Sequence, residues 1–99
     1  MNLDSIFEFE WDSTKERTNI RKHGVDFSTA ALVFNDKYGV IKYDLEHSFD
    51  EDRFLAIGTV NGCYTVFTVC FTIRSKAARI ISARQATAGE RKEYYDGIG

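Results

Sequence analysis

The chain is poor in the features by which most enzyme classes can be read. None of its 99 residues is proline, an absence that carries no functional message, and only two are cysteine. Cys63 and Cys70 are seven apart on what reads as one strand. They should point to opposite faces roughly 20 Å apart and cannot bond to each other within the chain. A reduced, cytoplasmic protein is the expectation. No apolar run approaches the roughly 20 residues of a membrane span, and residues 1–10 are acidic, so neither a spanning helix nor a basic-headed signal peptide is expected. Metal-ligand spacing is also missing: His23 and His47 are far apart, and the cysteines fit no zinc pattern. The stretch GTVNG lacks both the lysine and the length of a phosphate-binding loop. No metal and no cofactor are therefore expected. A cysteine within a strand is more often packing than nucleophile.

An excess of base is lacking too. The formal net charge is −2, whereas nucleic-acid affinity normally rests on phosphate neutralisation by Lys and Arg. The charge is unevenly spread. Residues 1–52 carry 6 Lys and Arg against 12 Asp and Glu, and residues 53–99 carry 7 against 3. That asymmetry fits one basic surface for a polyanion and one acidic surface facing elsewhere, and fits ordinary surface variation equally well.

What is present is apolar and aromatic: 43% and 14% of the chain respectively. At this length a single domain over residues 1–99 is expected, burying only about two-thirds of its unfolded surface. Phe7–Asp12 alternates apolar with acidic, a short half-buried strand. Asp12 can cap a helix running to Lys22 or His23, with Ser13-x-x-Glu16 as a second capping box and Gly24 as the left-handed terminus. Ile20 is that helix's one clear apolar anchor. Phe27, Ala30, Ala31 and Phe34 line one face of a second helix at about 28–34. Tyr38–Tyr43 reads as a strand, followed by an acidic loop, Asp44–Asp52.

Arg53–Val60 and Cys63–Arg74 are β-rich runs joined by Asn61-Gly62, the signature of a type I′ hairpin. A two-residue loop makes paired positions sum to 123, which sets Arg53 opposite Cys70. Phe67, Val69, Phe71 and Ile73 share an apolar face that reads as core. Val66, Thr68, Cys70, Thr72 and Arg74 share a more polar one that could bind. Arg79–Ala86 is a further strand, and Thr87-x-x-Glu90 is a capping box opening a last helix at about 88–95. The order β-α-α-β-β-β-β-α indicates an α+β fold with an antiparallel sheet, two helices before most of it and one after.

Three blocks stand out: FEWDSTKERTNIRKHGV at Phe9–Val25, YDLEHSFDEDRFLAIG at Tyr43–Gly58, and RIISARQATAGERKEYY at Arg79–Tyr95. In content and order they resemble the BrnT family, small bacterial ribonuclease toxins of type II toxin–antitoxin pairs. The resemblance implies a RelE-like fold with helices on one face of a curved sheet. It also implies metal-independent endoribonuclease activity that inhibits translation, and neutralisation by a BrnA-type antitoxin with a ribbon-helix-helix part. RNA would be the substrate, and DNA would be reached only through the antitoxin.

Cutting RNA without metal needs a base for the 2′-hydroxyl, cations for the pentacovalent phosphate and an acid for the leaving 5′-oxygen. Arginine suits the second task because its planar fork grips phosphate and stays charged. Arg84 and Arg53 match the family blocks and come first; Arg74 closes the polar face further along. Arg79 and Arg84 are five apart, so strict alternation puts them on opposite faces unless a bulge intervenes. The plainer role of any one arginine is a solvated or salt-bridged surface group.

His47, with Glu46 and Asp50–Asp52 nearby in sequence, suits an acid better than a base, because carboxylates stabilise the imidazolium. An exposed loop histidine is the bland alternative. Lys22 and His23 could contact RNA, though a cationic helix C-terminus explains both. Of Tyr94 and Tyr95, adjacent on a helix, at most one can pack inward. The competing functional reading is a non-catalytic binding module that keeps the toxin fold and its antitoxin contact. A direct DNA-binding regulator fits less well, since no basic recognition helix appears.

Overall fold

The computed structural model describes residues 8–98. Its element order matches the sequence reading: β1 (Glu8–Glu10), α1 (Ser13–His23), α2 (Phe27–Leu32), β2 (Val40–Tyr43), β3 (Phe54–Gly58), β4 (Phe67–Arg74), β5 (Ala77–Gln85) and α3 (Ala88–Ile98). Single 3₁₀ turns follow α2 at Val33–Asn35 and β2 at Leu45–His47. Phe7, the expected first apolar position of β1, lies outside the described residues. The strands form one sheet in the order β1-β5-β4-β3-β2. It is antiparallel except where β1 pairs parallel with β5.

The helix ends follow local chemistry. The Asp12 carboxylate accepts from the Lys15 amide at 3.2 Å, and Gly24 closes α1 at φ 71°, where a side chain would be strained. Glu16 does not complete the second capping box and instead accepts from the Phe27 amide at 2.9 Å, joining α1 to α2. Asp26 caps α2 through the Thr29 amide.

The core has two parts, one on each face of the sheet. Phe27, Ala30 and Val33 of the second helical segment pack on Ala56, Val69, Phe71, Ile80 and Ala83. Ile57, next to Ala56 and so facing the other way, packs with Val66, Ala86 and Tyr94. The helices therefore do not share one face: α3 covers an end of the face opposite α2, held there by Tyr94. Tyr94 is 3% exposed and Tyr95 50%, so one of the pair packs inward.

The hairpin differs from expectation in register. Asn61 and Gly62 have the positive φ of the anticipated turn, 46° and 79°, and the Cys63 amide bonds to the Val60 carbonyl at 2.8 Å. β4, however, begins only at Phe67, which leaves Cys63 exposed in the loop. Leu55 now lies opposite Cys70, so paired positions sum to 125. The ladder opens because the groups flanking the turn bond elsewhere. Thr59 gives both its amide and its hydroxyl to Asp36, and the Val66 carbonyl accepts from the Ala86 amide. A shift of two preserves parity, so Arg53 still faces the same side as Cys70.

A second correction concerns α1. Ile20 is 43% exposed and anchors little; the buried residue is Asn19, at 5%. β5 has β1 as neighbour only as far as Arg79, and beyond it the backbone edge is open. The Asn19 amide fills that gap. Its Oδ1 accepts from the Ala83 amide at 3.0 Å, and its Nδ2 donates to the carbonyls of Ala83 at 2.8 Å and Val25 at 2.9 Å. Asn19→Ala should leave these buried backbone groups unpartnered and cost about 2–3 kcal/mol of stability. Urea unfolding of the two proteins measures this, and a loss under about 0.5 kcal/mol would show that the edge needs no such cap.

Candidate active site

Two backbone devices assemble the site. The first is the end of the β2–β3 hairpin. Asp44 and Arg53 face each other across it, with the Asp44 amide donating to the Arg53 carbonyl at 2.8 Å. The intervening loop is tied by Ser48, whose hydroxyl donates to the Asp44 carbonyl at 2.6 Å and accepts from the Arg53 amide at 2.9 Å. The 3₁₀ turn at Leu45–His47 then folds His47 back over Asp44. The second device is a bulge: Cys70 pairs with Ser82 and Phe71 with Ile80, which leaves Ile81 as an extra residue in β5. The bulge resets the alternation. Arg79, opposite Thr72, and Arg84, opposite Thr68, consequently share a face despite their odd separation.

Arg53, Arg84 and His47 line one hollow of about 220 Å³ together with Asp44, Leu55, Thr68, Cys70, Ile81 and Ser82. Of the expected polar face only Thr68 and Cys70 line the hollow; Val66 packs in the second core, and the buried Thr72 gives its hydroxyl to the Asp52 carbonyl. At the mouth, His47 Nδ1 lies 2.9 Å and 3.2 Å from the two carboxylate oxygens of Asp44. The carboxylate can only accept, so Nδ1 carries the hydrogen and Nε2 is left to exchange a proton with a bound group. The histidine's partner is therefore Asp44, buried at 8% exposure, and not the carboxylates nearer the end of the loop.

Arg53 Nε is buried and has no hydrogen-bond partner among the described residues; the Glu51 carboxylate is 3.8 Å away. The Arg53 side chain is itself one of the walls of the hollow and partly exposed, so its guanidinium suits an incoming anion. Arg84 is more firmly held. Its Nη1 and Nη2 donate to the two oxygens of Glu90 at 2.7 Å and 3.1 Å, and Nη1 also donates to the Gln85 carbonyl. Glu90 accepts further from the Thr68 hydroxyl and the Thr87 amide. The bonds from Arg84 do most to hold its carboxyl at about 2, well below the ordinary 4.5. Burial pushes the Cys70 thiol up to about 11, so it stays protonated at neutral pH and is no nucleophile. Among the described residues no group of three or more His, Cys, Asp or Glu side chains could hold a metal ion.

The other nominated residues fall around this centre. Arg74 lies at the exposed end of β4, 3.8 Å from Glu51, and does not line the hollow. Arg79 is on the correct face, but its guanidinium is 3.5 Å from Glu10. Lys22 and His23 line a neighbouring hollow of about 330 Å³ with Thr14, Lys15 and Thr18, and it shares Ile81 and Ser82 with the first. Sequence reasoning missed Asp44 and Glu90 as site residues. The i,i+3 spacing of Asp44 and His47 could have revealed the first. The capping box identified Glu90, yet nothing local signals its reach across to Arg84 and Thr68.

Fold and site together define a compact α+β scaffold that presents arginines and an Asp–His pair on a sheet face. A model of the ribonuclease toxin BrnT of type II toxin–antitoxin systems matches residues 11–90. The chain belongs to this BrnT family, and membership implies RNA as substrate and an antitoxin as partner. The crystal structure of the Brucella abortus ribonuclease toxin BrnT is similar, with a TM-score of 0.63 and 30% identity, over 82% of this chain and 97% of that one. No curated protein matches the chain.

The Arg84–Glu90 pair makes stability depend on pH. Because folding lowers the Glu90 value, its contribution is fully present above about 4.5 and disappears as pH falls towards 2. Denaturation midpoints of the wild type and Glu90→Gln should therefore differ at pH 7, and the gap should narrow steadily as pH falls from 4.5 towards 2. A constant gap across that range would mean that the ion pair contributes nothing.

Proposed function

We propose that this chain is a metal-independent endoribonuclease, one toxin domain over residues 1–99, that cleaves RNA and so inhibits translation in the cytoplasm. The observation that carries the reading is the convergence of Arg53, Arg84 and His47 on one hollow. At about 220 Å³ the hollow suits a phosphodiester group better than a whole drug-sized ligand.

In this reading the phosphate sits between the two guanidinium groups, which stabilise the charge that builds up as the 2′-oxygen attacks phosphorus. The 2′-hydroxyl proton passes to water. His47, oriented by the Asp44 carboxylate on its Nδ1, gives a proton from Nε2 to the departing 5′-oxygen, leaving a 2′,3′-cyclic phosphate. The RNA strand continues over Ile81 and Ser82 to Lys22 and His23, where the cationic end of α1 takes a neighbouring phosphate. Arg79 and Arg74, on the same face, add to the field without touching the scissile group. A BrnA-type ribbon-helix-helix antitoxin neutralises the toxin, and DNA is engaged only through that partner.

The alternative, a binding module without activity, draws support from the carboxylates beside each arginine: Glu51 near Arg53 and Arg74, Glu90 on Arg84, Glu10 near Arg79. Cleavage of a defined RNA in EDTA separates the two. The wild type should cut, and Arg84→Ala, Arg53→Ala and His47→Ala should each lose on the order of 100-fold in kcat/KM while remaining folded. Absence of cutting by the wild type, with ribosomes also supplied, would establish the binding module instead.

A further inference from the structure

Glu90 was legible in the sequence only as half of a capping box, and that role is real. Its carboxylate accepts from the Thr87 amide at 2.8 Å, and its own amide donates to the Thr87 hydroxyl at 3.2 Å. A cap needs only one of its oxygens and needs no burial. Yet the Glu90 side chain is 14% exposed and gives both oxygens to Arg84.

The geometry of that contact is selective. A guanidinium carries five N–H donors in a plane. Glu90 takes the inner pair, one hydrogen from each terminal nitrogen, and the Gln85 carbonyl takes the second hydrogen on Nη1. No acceptor among the described residues is bonded to Nε. What remains is the Nε–H and the outer Nη2–H, which lie parallel along one edge, and this pair can grip two oxygens of a phosphate. Glu90 thus uses one edge of Arg84 as a handle and leaves the other free. Glu90 is fixed in turn by the hydroxyl of Thr68 on β4 at 3.0 Å and by its place in the first turn of α3.

We propose that Glu90 is a positioning residue for RNA cleavage: by clamping the terminal nitrogens of Arg84 it directs the Nε–Nη2 edge at the scissile phosphate. This rests on the reading that Arg84 binds that phosphate. The charge of Glu90 tempers the attraction of Arg84 for RNA in the ground state, so its contribution belongs to orientation and should appear in kcat more than in KM.

Glu90→Gln is the informative variant, because glutamine also completes a capping box. It offers Arg84 one oxygen and sets an NH₂ group against the other guanidinium nitrogen, so the two-point clamp is lost while the helix start survives. Thr87→Ala is its counterpart, weakening the cap without touching Arg84. Cleavage kinetics of these two, of Arg84→Ala and of the Arg84→Ala/Glu90→Gln pair decide the matter. Glu90→Gln should lower kcat on the order of 10-fold with little change in KM. It should cause no further loss once Arg84 is alanine, and Thr87→Ala should cut as the wild type does. An equal loss from Glu90→Gln with or without Arg84 would mean that Glu90 acts through general structure, which overturns the proposal. So would unchanged or faster cutting by Glu90→Gln, the second marking Glu90 as a brake. Wild-type cutting by Arg84→Ala would remove the site reading itself, and the proposal with it.

Discussion

One carboxylate, Asp36, fixes the relation between the helices and the sheet. It stands just beyond the 3₁₀ turn that ends the second helical segment. From there it accepts from the amide and hydroxyl of Thr59 at the end of β3, from the Tyr38 amide, and from the Tyr94 hydroxyl on α3. The approach is close: a Cβ at Gly58 would come within 3.1 Å of the Asp36 carboxylate, so a side chain there would press on it. Several features follow. β3 stops at Gly58, the hairpin opens, and α3 is anchored over the face opposite α2. With α3 in place, its first turn carries Glu90 to Arg84. An ion bonded by four donors from three residues, Tyr38, Thr59 and Tyr94, does what a larger apolar core would do in a longer chain.

The architecture was largely visible in the sequence because it rests on local chemistry. The Asp12 cap, the left-handed Gly24, the Asn61-Gly62 turn and the alternation in β4 each involve residues within a few positions of each other. The failures share the opposite property. The hairpin register depends on Asp36 reaching Thr59, 23 residues away. The anchoring of α1 depends on Asn19 reaching Ala83, 64 residues away, and a polar side chain on a thin helix gives no hydrophobic signal. Of the site, Arg53, Arg84 and His47 were nominated from their blocks, and their meeting in one hollow required the β2–β3 register and the β5 bulge. Asp44 and Glu90 went unread because their partners are set by tertiary placement.

The acidity of the chain and the polyanion it acts on are compatible once charge is considered by position. Carboxylates near the arginines differ in reach. Glu51 stands 3.8 Å from both Arg53 and Arg74, a distance at which it tempers their field without consuming their donors. Glu90 is bonded to Arg84 directly. With a net charge of −2, such a surface holds little long-range attraction for RNA, and two of its arginines, Arg53 and Arg84, meet at the hollow. Binding by shape and local charge, with weak non-specific capture, is the regime this distribution favours.

The bulge at Ile81 divides β5 into two reading frames. From Ala77 to Ile80 the side chains follow one phase; from Ser82 to Gln85 they follow the other. An inward position in the first half is therefore not the continuation of an inward position in the second. The first half meets β1 and the second meets α1, so the two halves of the strand can vary independently, and a slip in one need not carry the other with it.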